Sequence, residues 1–199
     1  MLALSVHGYV LRRLAVVIVE SEAREMARSV LAEALPRRWE HVQGVAGKAE
    51  RVAASLALSG DVLVSAAWLH DIGYAPELLA TGFHPLDGAT YLAGLGIPER
   101  VVNLVARHSN AILEAELRGI GDLVAVFPDE GGPLRDALWY CDLTTSPDGQ
   151  PVSSADRMSE IKERYRPGTI VTRFITDGAP ELLAAVERTE RRLAGVLTD

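Results

Sequence analysis

An all-α domain is what this sequence predicts, and three features carry the prediction. From residue 21 onward apolar residues recur at three- and four-residue spacings. Almost nothing alternates with period two. Pro36, Ser59-Gly60, Pro85 and Pro98 punctuate the periodic segments. A chain of 199 residues fits one domain with a buried core of its own, and 48% hydrophobic with 24% charged residues is ordinary for a globular protein.

Residues 1–20 read as an N-terminal extension. Its apolar run, Leu14–Val19, is far too short to span a bilayer and has no small-residue cleavage site after it, so neither a membrane span nor a signal peptide is expected. A strand or helix turn packed on the domain is the reading adopted. The all-α domain then occupies residues 21–199. Ser21 is placed as the N-cap of a first helix with an acidic first turn, ending before Pro36. His41 to Leu58 follows, with apolar residues at 42, 45, 46, 49, 52, 53 and 56 on one face. Asp61 is placed as the cap of a third helix running through His70 and Asp71.

Two helices come next, 85–94 opened by His84 and Pro85, and 98–109 opened by Pro98; proline suits a first helical position because its missing N–H would be unpaired there. Residues 110–127 read as helical fragments and "FPDEGGP" (127–133) as a loop. Leu134 to Leu143 makes a short apolar helix, "TTSPDGQPVSS" (144–154) a turn-rich surface connection, and 154–166 with 179–197 the closing amphipathic helices. No internal repeat or low-complexity tract interrupts them.

The net charge of −7 and pI near 5.3 leave no basic stripe to neutralise a nucleic-acid backbone. A small anionic substrate needs only a few local cations and stays open. Cys141 is the single cysteine, so neither a disulfide framework nor a cysteine-rich zinc site can form within the chain. A reducing, cytoplasmic location is expected, and Cys141 reads as a small buried residue.

The polar residues that break the apolar stripes carry the functional signal. His70 lies on the stripe of Leu63, Ala66 and Ala67, and His108 continues Val101, Leu104 and Val105. Asp142 follows Leu134 and Leu138, His41 opens the face of Val45 and Val52, and His84 sits just before Pro85. One histidine on an apolar face is more often a hydrogen-bonded core residue than a ligand. A buried carboxylate without a partner costs several kcal/mol, about 2–7 or more. With Asp71 beside His70, six such groups in one domain point to convergence on divalent metal, which compensates buried imidazoles and carboxylates together. Adjacent residues on a helix point about 100° apart. His70 and Asp71 therefore serve two metal positions, or Asp71 bridges both.

The order His41 … His70-Asp71 … Asp142, with "LHDIG" and "LWYCDLTT" around the last three, resembles the HD superfamily of metal-dependent phosphohydrolases over roughly residues 36 to 166. His84 and His108 match the two further histidines of its binuclear branch. The resemblance implies a first metal held by His41, His70, Asp71 and Asp142, and a second held by His84 and His108 with Asp71 bridging and catalytic. The metals would be two divalent transition ions, Fe, Mn, Co, Ni or Zn. The activity implied is hydrolysis of a nucleotide or other small phosphate ester by a metal-bound hydroxide.

"HPLDGA" is similar to the helix opening of bacterial HD-type dinucleoside tetraphosphate hydrolases. "AAWLHDIGYAP", "GFHPLDGA" and "DALWYCD" resemble uncharacterised actinobacterial HD-domain proteins. Arg38 stands where family members often carry an arginine near the substrate phosphate. Arg107, Arg157 and Lys162 are further candidates, each equally readable as a charge on a solvated helix face. Asp87 could orient His84 or cap a helix N-terminus. Tyr74 replaces the lysine that many members carry after "HDIG", which puts one phosphate contact, and the tetraphosphate substrate, in question. The cyclic di-GMP phosphodiesterase signature is missing. Two other readings stay open: a mixed-valent di-iron oxygenase on the same ligands, and a nucleotide-binding protein without turnover.

Overall fold

The computed structural model describes residues 18–196. The strand or turn expected around Leu14–Val19 falls largely outside them, although Ile18 is buried in the core. The described residues fold into α-helices with no strand, and the nearest thing to sheet is one isolated bridge between Thr145 and Pro151.

The order is α1 (Glu20–Leu31), α2 (Pro36–Ser55), α3 (Gly60–Leu69), α4 (His84–Gly94), α5 (Glu99–Arg107), α6 (Ala111–Leu117), α7 (Gly121–Ala125), α8 (Gly132–Leu143), α9 (Ser154–Arg164) and α10 (Ile170–Val196), with 3-10 turns at Ile72–Tyr74, Pro76–Leu78 and His108–Asn110. Helix α3 is the hub, packed on α1, α2, α5 and α8. Seven consecutive residues of α3, Leu63 to Leu69, are buried, as a helix enclosed on all sides requires. Alanines at 46, 49 and 53 of α2 and at 66 and 67 of α3 lie in the same core and allow close packing. A smaller apolar cluster, Phe83, Leu86, Ala111, Ala115 and Val124, joins α4, α6 and α7.

Several boundaries differ from the sequence expectation. Helix α1 opens at Glu20 rather than after Ser21, because the Glu22 carboxylate takes the Val19 N–H (3.3 Å) that a serine cap would leave unpaired. Helix α2 opens at Pro36, five residues earlier than expected, with the proline at its first position. In α3, Ser59 rather than Asp61 is the cap residue. Pro98 precedes α5 instead of starting it. The largest difference is α10, which begins at Ile170 and runs through Pro180. A mid-helix proline removes one backbone bond and costs about 3 kcal/mol. Packing against α8, α9, α6 and α2 offsets that cost. Arg188, Arg192 and Arg135 all donate to the buried Asp136 carboxylate (2.8–3.1 Å), fastening α10 to α8 and holding that carboxylate below the usual range against the opposing effect of burial.

The 144–154 segment is more than a surface connection. Lys48, buried in α2, donates to the Thr144 carbonyl and hydroxyl (2.6 Å to the hydroxyl), and Val152 N–H donates to Thr144 O at 3.0 Å. Gly149, at φ +73°, lies against α2 with its Cα within 2.7 Å of where a side chain on Gly44 would start. Glycine on both sides is what allows this contact.

Candidate metal centre

His70 and Asp71 stand where α3 ends. Leu69 is the last helical residue, His70 keeps helical dihedrals as the C-cap, and Asp71 leaves at φ −102°, ψ 8°. The third helix is thus shorter than expected. Asp71 is turned inward by this bridge-region conformation, which recurs at active sites, and its direction no longer follows helix phase. Gly73 sits one turn on, against the first turn of α4. A Cβ there would fall inside the His84 carbonyl oxygen and 2.6 Å from Gly88 N. Gly73→Ala is therefore expected to push α4, and His84 with it, off the centre at about 2 kcal/mol in stability. A thermal melt read beside bound metal checks this.

The two oxygens of Asp71 face two separate pairs of imidazoles. Oδ2 lies 3.3 Å from His70 Nε2 and 3.7 Å from His41 Nε2. Oδ1 lies 3.3 Å from His84 Nε2 and 3.9 Å from His108 Nε2, and those two nitrogens are 3.1 Å apart. Within each trio the ligand atoms lie inside 4.8 Å of one another. Asp142 adjoins the first, its Oδ1 3.1 Å from His41 Nε2, and its other oxygen accepts from Ser109 Oγ. All six predicted ligands are therefore brought together.

The imidazoles are oriented from behind. His41 Nδ1 meets Ser146 O at 3.0 Å, His70 Nδ1 meets Ala67 O at 2.8 Å, and His108 Nδ1 meets Val105 O at 2.6 Å. A carbonyl only accepts, so each Nδ1 carries the hydrogen and each Nε2 faces the centre, the arrangement in which carbonyls orient metal-bound histidines from behind. His70 Nε2 is buried and has no hydrogen-bond partner. An orphaned ring nitrogen among three other inward-facing imidazole nitrogens and two carboxylates is a donor set that fits divalent transition metal.

The electrostatics agree with that fit. Burial pushes His108 down to about 4, helped by His84 and His70 nearby, and burial lowers His84 as well. Burial also opposes charge on His70, but the adjacent Asp71 outweighs it and raises His70 to about 9. A proton there is the alternative to a cation. Burial opposes the charge of Asp71 and Asp142 too, yet Arg38 with His70 for the first, and His41 with His70 for the second, hold both below the usual carboxylate range.

Arg38 donates to Asp71 Oδ2 at 2.6 Å and lies over the Tyr74 ring at 4.1 Å. Tyr74 stacks on His84, ring centres 3.9 Å apart and 17° from parallel. A cavity of about 220 Å³ opens from the centre and is lined by Arg38, Tyr74, Arg157 and Arg164 among others; these four also line a second cavity, of about 340 Å³, beside His41.

Arg157 is 7% exposed and pairs with Glu160 of its own helix, but its Nε has no partner. Arg164, which the sequence did not single out, pairs with the same Glu160. Arg107 and Lys162 do not join them. Arg107 is turned the other way, donating to Phe127 O (2.6 Å), and Lys162 is exposed on α9, outside the lining. Asp87 accepts from the N–H groups of Ala80, Thr81 and Gly82 (2.9–3.2 Å), so it closes the loop before α4 rather than orienting His84. Cys141 is fully buried, and burial pushes its thiol up to about 12, which leaves it unreactive.

Ser109 was also unforeseen. It and Asn110 take left-handed dihedrals (φ 46° and 59°), a kink that ends α5 at Arg107 and turns the serine toward Asp142.

A family model described as the HD domain matches residues 38–160, well over half of the chain and spanning all six clustered ligands. No curated protein and no solved structure matches it. Among the described residues no helix is long and apolar enough to cross a membrane.

Proposed function

Since the chain belongs to the HD-domain family, whose members are mostly metal-dependent hydrolases, we propose that it hydrolyses a nucleotide or another small phosphate ester, and does so in the cytoplasm. What carries the reading is the division of Asp71 between two imidazole pairs, one oxygen to each. His41, His70, Asp71 and Asp142 would hold one divalent cation, and His84, His108 and Asp71 a second. When bound, such a pair polarises water and neutralises charge on a phosphoryl oxygen.

The chain's own groups do the rest. Ser109 fixes the Asp142 carboxylate, and Tyr74 holds the His84 ring in place. Arg157, whose Nε has no partner, supplies positive charge to a phosphate oxygen in the cavity. Arg38, already charge-paired, steadies Asp71 and stands ready for a second phosphate contact. The phosphorus–oxygen bond to the alcohol breaks, water oxygen replaces it, and the alcohol leaves with a proton.

Phosphate release from a panel of monoesters, with protein reconstituted with manganese, is the test. Release that stops with chelator and returns with manganese is expected. Metal-bound protein inert on every ester would overturn the reading.

Tyr74, stacked on His84 where many family members carry a lysine, removes one phosphate contact and keeps a di-iron oxygenase on the same ligands as the second reading. Two irons per chain with oxygen uptake, and no phosphate release, would select it.

A further inference from the structure

The 220 Å³ cavity has two unlike walls. One carries the metal-centre residues with Arg38 and Tyr74; the other is built by α9, α10 and the end of α8. On the second wall Ile161, Val171 and Phe174 stand beside Arg157, Arg164 and Tyr165, with the buried Leu143, Ile175 and Leu182 behind them. The four from α10 fall at i, i+3, i+4 and i+11, a single helical face. Gly178 completes that face and lets Leu113 of α6 come close, 3.2 Å from where a Cβ would lie. Nearby hydroxyls of α10 are spent within the helix: Thr172 donates to Thr169 O (2.9 Å) and Thr176 to Thr172 O (2.8 Å). Glu114 is taken by Arg118 at 2.6 and 2.9 Å. Arg157 and Arg164 share one carboxylate, leaving a positive charge in surplus for an anion.

Resting on the hydrolase reading for its phosphate end, we infer that the ligand of this cavity is a small phosphate monoester whose alcohol is apolar, not a nucleotide. A nucleoside would set a base edge or ribose hydroxyls against the α10 face, where Val171 and Phe174 offer no partners for them. Each unpaired polar group costs about tenfold or more in affinity. Size points the same way, since drug-sized ligands occupy cavities of about 300–1,000 Å³.

The test uses manganese-loaded protein and two readouts. Calorimetry measures binding of methyl-, propyl- and hexylphosphonate, which cannot be hydrolysed, beside AMP; phosphate release compares hexyl phosphate with AMP. Affinity is expected to climb about three- to fourfold per methylene until the wall is covered, and hexyl phosphate to exceed AMP by about tenfold in kcat/KM. Val171→Thr, nearly isosteric, should lower the hexyl-to-methyl affinity ratio about threefold or more; a folding defect would lower both affinities and leave the ratio alone. Affinity that is flat along the series, a ratio unmoved by the substitution, or preference for AMP overturns the inference. Affinity that climbs while no ester is turned over supports the apolar-alcohol ligand and removes the hydrolase reading instead.

Discussion

Asp71→Asn is expected to empty both metal positions at once and to lower phosphate release by about a thousandfold. The amide keeps the shape of the carboxylate but loses its charge and offers one acceptor oxygen in place of two. Each imidazole pair faces its own oxygen of Asp71, at 3.3 Å to the nearer nitrogen in both cases. Among the described residues no other serves both. Asp142 touches only the His41 side, at 3.1 Å. Two metals contribute several kcal/mol of transition-state stabilisation, and about 4 kcal/mol is the thousandfold. Elemental analysis with the phosphate-release assay checks both halves. A variant that still holds two metals would show that Asp71 does not bridge.

Metal-stripped protein is expected to be most stable near pH 6.5 and to lose about 3 kcal/mol toward either side. On the acid side, His108 stays neutral in the fold down to about 4, while the unfolded chain takes up a proton near 6.5. The unfolded state therefore binds more protons in that window, and stability falls as pH drops through it. His84, lowered by the same burial, adds to this limb. On the alkaline side, His70 holds a proton up to about 9 in the fold. Its contribution is complete below 6.5 and is lost as pH rises toward 9. Each window of about 2.5 pH units corresponds to about 3 kcal/mol. Bound metal takes the place of the His70 proton, so the alkaline loss should vanish in loaded protein and metal affinity should rise with pH. Denaturant titrations of stripped and loaded protein between pH 4 and 9 measure this. A flat profile in stripped protein would mean the histidines are not in the protonation states that the packing imposes.

The cluster of six was legible because buried charge is rare enough to be conspicuous. A histidine or aspartate continuing an apolar stripe, as His108 continues Val101 and Leu104, shows in one dimension that something must compensate it. What the stripe cannot show is how the chain behaves once the helix stops. Asp71 gains its position from leaving α3, and Ser109 from a left-handed kink that sequence periodicity does not encode.

Helix phase could have sorted the cations. Arg157 and Arg164 share the face of Ile161 and Tyr165 on α9, whereas Lys162 is off it. Arg107 was lost for another reason, since its adjacency to His108 is sequential and the two side chains diverge at the helix end. The start of α10 was misplaced because Pro180 reads locally as an N-terminus. Its helical position is decided by packing on α8, a contact between residues some fifty apart, such as Asp136 and Arg188.

If two metals share Asp71, metal stoichiometry shows it. Elemental analysis of protein purified without a metal-affinity tag, beside His84→Ala, should give close to two metals per chain, falling to close to one in the variant. The first trio, His41, His70 and Asp71, survives that substitution. Close to zero metal in the unaltered protein after reloading under reducing conditions, or two retained in the variant, would mean that Asp71 is not shared between two metals.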